Sequence, residues 1–81
     1  MAETLTSKTP ESVTELRKLF GRRVAALRKE KSLTQEELAR QLKKDPVFVA
    51  YIEGGQRSPS FVTLHKLAKT LGVHPAELFK F

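Results

Sequence analysis

The chain contains no cysteine and no tryptophan, and only four glycines and four prolines among its 81 residues. Without thiols, neither a disulfide nor a thiolate metal site can hold the fold together. His65 and His74 stand nine positions apart with no carboxylate motif around either, so no zinc site and no other cofactor is expected. No apolar run approaches the roughly 20 residues that cross a bilayer, and the N-terminus lacks the apolar region of a secretory signal. A membrane partner is therefore not expected, and the cytoplasm is the expected compartment. The apparatus of catalysis is missing too. There is no glycine-rich phosphate loop and no His-Glu metal motif, and Glu36 and Glu37, being adjacent, face different sides of a helix. The chain is not expected to be an enzyme.

What remains is a short, basic, strongly patterned sequence. At 40% apolar and 30% charged it has the composition of one small globular domain. Its net charge of +6 favours an anionic partner, nucleic acid being the commonest. That charge is unevenly spread: residues 1–12 sum to −1, residues 13–31 to +5, residues 32–59 to zero and residues 60–81 to +2. Charge of this kind also suits a solvated helix face, so it does not identify the partner by itself.

Apolar spacing predicts helices throughout, and no segment alternates with the period of a strand. Residues 1–11 are polar and aperiodic, and a mobile tail is expected there, with residues 12–81 forming the domain. Ser12-Val-Thr-Glu15 has the form of a capping box, and Val13, Leu16, Phe20, Val24 and Leu27 follow as one stripe to about Lys31. Gly21 reads as a weak spot in that helix and not a break. Thr34-Gln-Glu-Glu37 is a second box, opening a helix whose inner side is Leu38, Ala39 and Leu42. Asp45 and Pro46 open a third helix, which Gly54-Gly55 can end. Ser60 can cap a fourth, with Phe61, Leu64, Leu67, Ala68 and Leu71 as its inner face and Gly72 at its end. A final turn from Pro75 brings Leu78 and Phe79 to close the core, with His74 at its start. Two short helices joined by a tight turn and packed on a longer one describe a helix-turn-helix.

The segments TQEELARQL and VAYIEGGQRSPSFVTLHKLAKTLGV carry a resemblance to a known family. LTQEELA, then IEGG fourteen residues after Leu38, then R-x-P, then LAKTLGV follow the order and spacing of the Xre family, the Cro and phage-repressor type. The likeness runs from about Phe20 to Phe79. It implies an all-α, five-helix, lambda-repressor-like domain that binds operator DNA, usually as a dimer, with residues 35–42 and 46–53 as the motif helices. The chain departs from the family pattern in three places. Lys43 and Lys44 stand where the turn usually carries a glycine and an apolar residue, and Ser32 stands where helix one usually ends at glycine. The third departure is the outer face of the recognition helix, which is apolar here and usually polar.

That outer face poses the functional question. Val49 and Ile52 belong to the core side, and Phe48 is expected half-buried beside the DNA backbone. Pro46, Val47, Ala50 and Tyr51 are left outside. A recognition helix places its N-terminal residues against base edges in the major groove, and apolar side chains there meet the C5-methyl of thymine. Pro46, Val47, Ala50, Tyr51 and Gln35 are thus the expected base contacts. Thr34, Lys43, Lys44, Phe48, Gln56, Arg57 and Ser58 are the expected phosphate contacts, which position a protein without reading sequence. Arg22 and Arg23 are candidates to join them. A solvated turn at Lys43-Lys44 and an Arg57 that ties its loop to helix four are the structural alternatives. The resemblance also implies an ion pair between Arg28 and Glu53 that sets the angle of the third helix.

The expected function is a sequence-specific, double-stranded DNA-binding transcriptional regulator of the bacterial type, acting as a homodimer. Controller proteins of restriction–modification systems and antitoxins share this size. The alternative is an adaptor, or an antitoxin-like partner binder, using the exposed apolar face of the third helix for a protein.

Overall fold

The computed structural model describes residues 9–81. Among them are four α-helices: α1 (Val13–Glu30), α2 (Gln35–Leu42), α3 (Pro46–Glu53) and α4 (Phe61–Leu71), followed by a 3-10 helix, Pro75–Phe79. The expected fifth helix is therefore a single 3-10 stretch. Pro75 at its first turn and the chain reversal after Gly72 leave only five residues to close it. Residues 1–8 of the expected N-terminal tail lie outside the described residues. Glu11, just before the cap of α1, is tied to the helix: its amide donates to the Glu15 carboxylate at 2.6 Å.

Each helix begins where the sequence supplies an acceptor for its free amides. Ser12 accepts from Glu15 N, Thr34 from Glu37 N, Asp45 from Val47 N and Ser60 from Thr63 N. The box at Thr34 is complete, since Thr34 N donates back to Glu37 Oε1 at 2.8 Å. The box expected at Ser12 is only half formed, because Glu15 takes the amide of Glu11 in place of that of Ser12.

The helix ends share one device. Ser32, Lys43, Gly55 and Gly72 all have positive φ, at 57°, 58°, 79° and 70°. After each, the next residue's amide reaches back five positions to a helix carbonyl: Leu33 to Arg28, Lys44 to Ala39, Gln56 to Tyr51 and Val73 to Ala68. This is the Schellman closure, which normally selects glycine because a Cβ is disfavoured in the left-handed region. Glycine fills two of the four positions. Ser32 and Lys43 fill the others against that preference, and these are the two turns where the chain departs from the family pattern.

The core consists of Phe20, Val24 and Leu27 of α1, Leu38, Ala39 and Leu42 of α2, Val49 and Ile52 of α3, Leu67, Ala68 and Leu71 of α4, and Leu78. Burial of each large aliphatic side chain contributes about 1.5–3 kcal/mol. The expected stripes were too long at their ends. Val13 and Leu16 are exposed, on the rim of an open apolar cleft that they share with Phe20, Pro59, Leu64 and Phe79. Phe61 is 87% exposed, because Ser60 turns the chain there and the inner face of α4 begins at Thr63. Phe79 stacks on Phe20, with centroids 5.2 Å apart, yet keeps 46% of its surface exposed.

Candidate nucleic-acid interface

Helix α3 is short and would be marginal alone, so its orientation depends on what grips it. The grip comes from one stripe of α1, namely Arg17, Gly21, Val24 and Arg28. Gly21 is buried against the end of α3, and a Cβ there would come within 2.7 Å of the Glu53 carbonyl carbon and overlap the carbonyl oxygens of Ile52 and Glu53. One turn earlier, Arg17 Nε donates to Gly55 O at 3.0 Å. Two turns later, Arg28 meets Glu53 in a bidentate pair, Nε to Oε2 at 2.6 Å and Nη2 to Oε1 at 3.1 Å. The remaining Arg28 nitrogen, Nη1, donates to Leu33 O at 2.7 Å. This pair is shielded, with side chains only 11% and 7% exposed. The hydrogen bond to Glu53 outweighs burial and holds the guanidinium protonated beyond its ordinary range.

Glu53 has a second partner. Gln35, at the first position of α2, donates its amide nitrogen to Glu53 Oε1 at 2.9 Å. One carboxylate thus joins α1, α2 and α3. Gln35 is held half-buried, with its carbonyl oxygen and second amide hydrogen still free for a ligand.

With its inner side fixed, α3 presents the opposite edge to solvent. Pro46, Val47 and Tyr51 are exposed, Val47 by 52% and Tyr51 by 47%, and Ala50 is partly exposed between them. Val49 and Ile52 are buried at 2% each. Phe48 lies between these faces, half-buried, with the Lys44 ammonium 5.2 Å and the Arg57 guanidinium 5.6 Å from its ring centre. A single ring thereby gathers two cations, from the turns before and after α3, at a spacing their mutual repulsion would otherwise oppose. Neither cation has an acidic partner among the described residues. Ser58 shares their cleft, and Gln56 is exposed beside it. Thr34 is exposed at the N-terminus of α2, where backbone amides favour an anion.

A helix-turn-helix family model matches residues 24–78. The chain belongs to the helix-turn-helix family. It is 42% identical over 64 residues to an uncharacterized HTH-type transcriptional regulator, y4dJ, of Sinorhizobium fredii, covering 79% of this chain and 83% of that one. It is 43% identical over 61 residues to the control protein C.MunI of Mycoplasma sp, covering 74% and 82%. Among solved structures it resembles the restriction-modification controller protein C.AhdI from Aeromonas hydrophila at 43% identity. That match has a TM-score of 0.75 and covers 78% of this chain and 96% of that one.

Within this helix-turn-helix, α2 and α3 coincide with the expected motif helices, residues 35–42 and 46–53. The structure brings Lys44, Phe48, Arg57 and Ser58 to one cleft, while Pro46, Val47, Ala50 and Tyr51 lie along the exposed edge. Arg23 is withdrawn from the candidates. Its Nε donates to Glu77 O at 2.7 Å and its Nη2 to the Glu77 carboxylate at 3.1 Å, so it anchors the 3-10 helix. Arg22 remains exposed. Two contributors escaped the sequence reading: Arg17, and Gly21 as a packing requirement. The steps of four, three and four that connect residues 17, 21, 24 and 28 were the available signal.

Proposed function

We propose that residues 12–81 form a transcriptional regulator that binds double-stranded DNA as a homodimer, with α3 in the major groove. The observation that carries this reading is the rigidly held α3, whose exposed edge is apolar and whose flanks carry, on Phe48, two cations without an acidic partner among the described residues. Pro46, Val47, Ala50 and Tyr51 then meet base edges, the first three favouring thymine methyls. Gln35 reaches a base or a phosphate, steadied by Glu53. Thr34, Lys43, Lys44, Gln56, Arg57 and Ser58 hold phosphates, with Phe48 as the wedge that spaces them. A second copy would cover the apolar surface of Phe61, Leu64, Ala76 and Phe79, which lies apart from the α3 edge. Half-sites would stand about one helical turn, roughly 34 Å, apart.

Selection of binding sites from random duplex DNA tests this. The expected consensus is two-fold symmetric with T·A pairs near each half-site centre, and Val47→Ser relaxes the preference there. A consensus without T·A at those positions contradicts the assignment. The exposed Val47–Tyr51 edge would equally suit a protein partner, and binding indifferent to salt and absent on DNA would favour that second reading.

A further inference from the structure

A second group of cations lies beyond the cleft around Phe48. Lys43, Lys66 and Lys69 line one groove with Gln41, Leu42 and Thr70, between the end of α2 and one side of α4. None of the three lysines forms an ion pair among the described residues. The two clefts share no lining residue but are neighbours along the chain. Thr63 lines the first, and Lys66 and Lys69 follow it at steps of three along α4, turning toward its exposed flank. Lys43 and Lys44 are adjacent, one in each cleft. The acid nearest in sequence, Asp45, is committed to the α3 N-terminus through Val47 N at 3.3 Å.

Lys43 adds an independent observation. It sits at φ 58°, ψ 44°, in a helix closure that glycine would fill without strain. A lysine there is disfavoured for folding, which points to a use for its side chain. We infer that Lys66 and Lys69 carry the row begun at Lys43 onto the phosphates of duplex DNA flanking the half-site, extending the contact surface beyond the base pairs α3 reads. The stretch from Thr63 to Lys69 rises about 9 Å along α4, which corresponds to two or three phosphates at about 3.4 Å of axial rise per strand. The adjacency of Lys43 to Lys44, which lines the cleft assigned to phosphates, favours DNA over an acidic protein segment. This inference rests on the functional reading above.

The test uses a site selected from random DNA, prepared once as a duplex ending at the outer edge of each half-site and once with about 10 further base pairs on each side. Binding is followed by fluorescence anisotropy across a salt series. The parent is expected to show a steeper log–log salt slope on the longer duplex. Lys66→Gln/Lys69→Gln should reduce that slope by about 1.8 per monomer, at about 0.9 per lost phosphate contact, and leave the shorter duplex unaffected. Lys43→Gly should reduce the slope by about 0.9 on both duplexes while raising the melting temperature by about 4 °C or more. Equal slopes for parent and double variant on both duplexes overturn the inference, as do equal losses on both. A double variant that keeps both slopes and loses binding to poly-glutamate would assign the groove to an acidic protein instead. A parent that binds neither duplex would sink the functional reading itself, which is a separate result.

Discussion

Removing the Glu53 carboxylate should loosen the domain at the junction of three helices. In Glu53→Ala, Arg28 keeps the Leu33 carbonyl but loses both bonds to the carboxylate, and Gln35 loses its acceptor. Two unit charges about 3 Å apart attract by roughly 5–6 kcal/mol at an effective dielectric of about 20. Desolvation offsets most of that, so the intact pair adds little net stability. Breaking it differs, because the Arg28 side chain is only 11% exposed and its charge would be stranded. Such losses run to about 3–5 kcal/mol. The lower end applies here because one Arg28 bond survives. For a domain of this size, about 3 kcal/mol corresponds to a fall of roughly 12–24 °C in melting temperature. Thermal unfolding followed by circular dichroism at 222 nm measures it. Replacing both partners, Arg28→Met with Glu53→Leu, should recover most of the loss by removing the stranded charge. A Glu53→Ala protein melting within about 2 °C of the parent would refute the reasoning.

Gly21→Ala should destabilise by about 2 kcal/mol or more despite alanine's higher helix propensity, since the methyl meets the α3 carbonyls, and a urea titration measures it. Val47→Ala and Tyr51→Ala should leave stability within about 0.5 kcal/mol, because both side chains are largely exposed. Each should nonetheless lower discrimination between selected and altered sites in competition binding, and unchanged discrimination would remove them from the interface. Stability should also fall in acid. Glu77 is held below its usual carboxylate range first by its hydrogen bond to Lys80 and then by Lys80 and Arg23 charge, and Glu37 by the Thr34 backbone and hydroxyl. Because both are lowered in the folded state, their contribution is present above the unfolded value near 4.5 and is lost as pH drops through the folded one. Glu77→Gln and Glu37→Gln should flatten the decline between pH 5 and 3 in urea titrations.

Much of this fold was legible in the sequence because it is written in local signals. Thr34, Asp45 and Ser60 are caps by side-chain chemistry alone, and Leu38-Ala39-Leu42 or Leu67-Ala68-Leu71 read as buried faces from spacing alone. The apolar pattern failed at the ends of the long elements. Periodicity gives a stripe's direction but not where the neighbouring helices stop, so Val13, Leu16 and Phe61 counted as core and proved exposed. It also gave no warning that Arg23 would meet Glu77, because that meeting depends on the path of the chain after Gly72. The candidate site divides in the same way. The two sides of α3 followed from its own period, whereas the shared ring of Lys44 and Arg57 requires two turns to converge on Phe48. Gly21 looked like a local weakness because its reason lies on another helix. Ser32 and Lys43 were visible as departures, but their left-handed backbone was not.

A grip on duplex DNA by α3 and its flanking cations, made mainly through phosphates, must weaken steeply as salt rises. The most direct measurement is the affinity for duplex DNA across a salt series, read by fluorescence anisotropy. With Lys43, Lys44 and Arg57 each neutralising one phosphate, the log–log slope should be about −3 per monomer, and steeper on a duplex long enough to engage Lys66 and Lys69. A flat response, or no binding at low salt, would contradict the account.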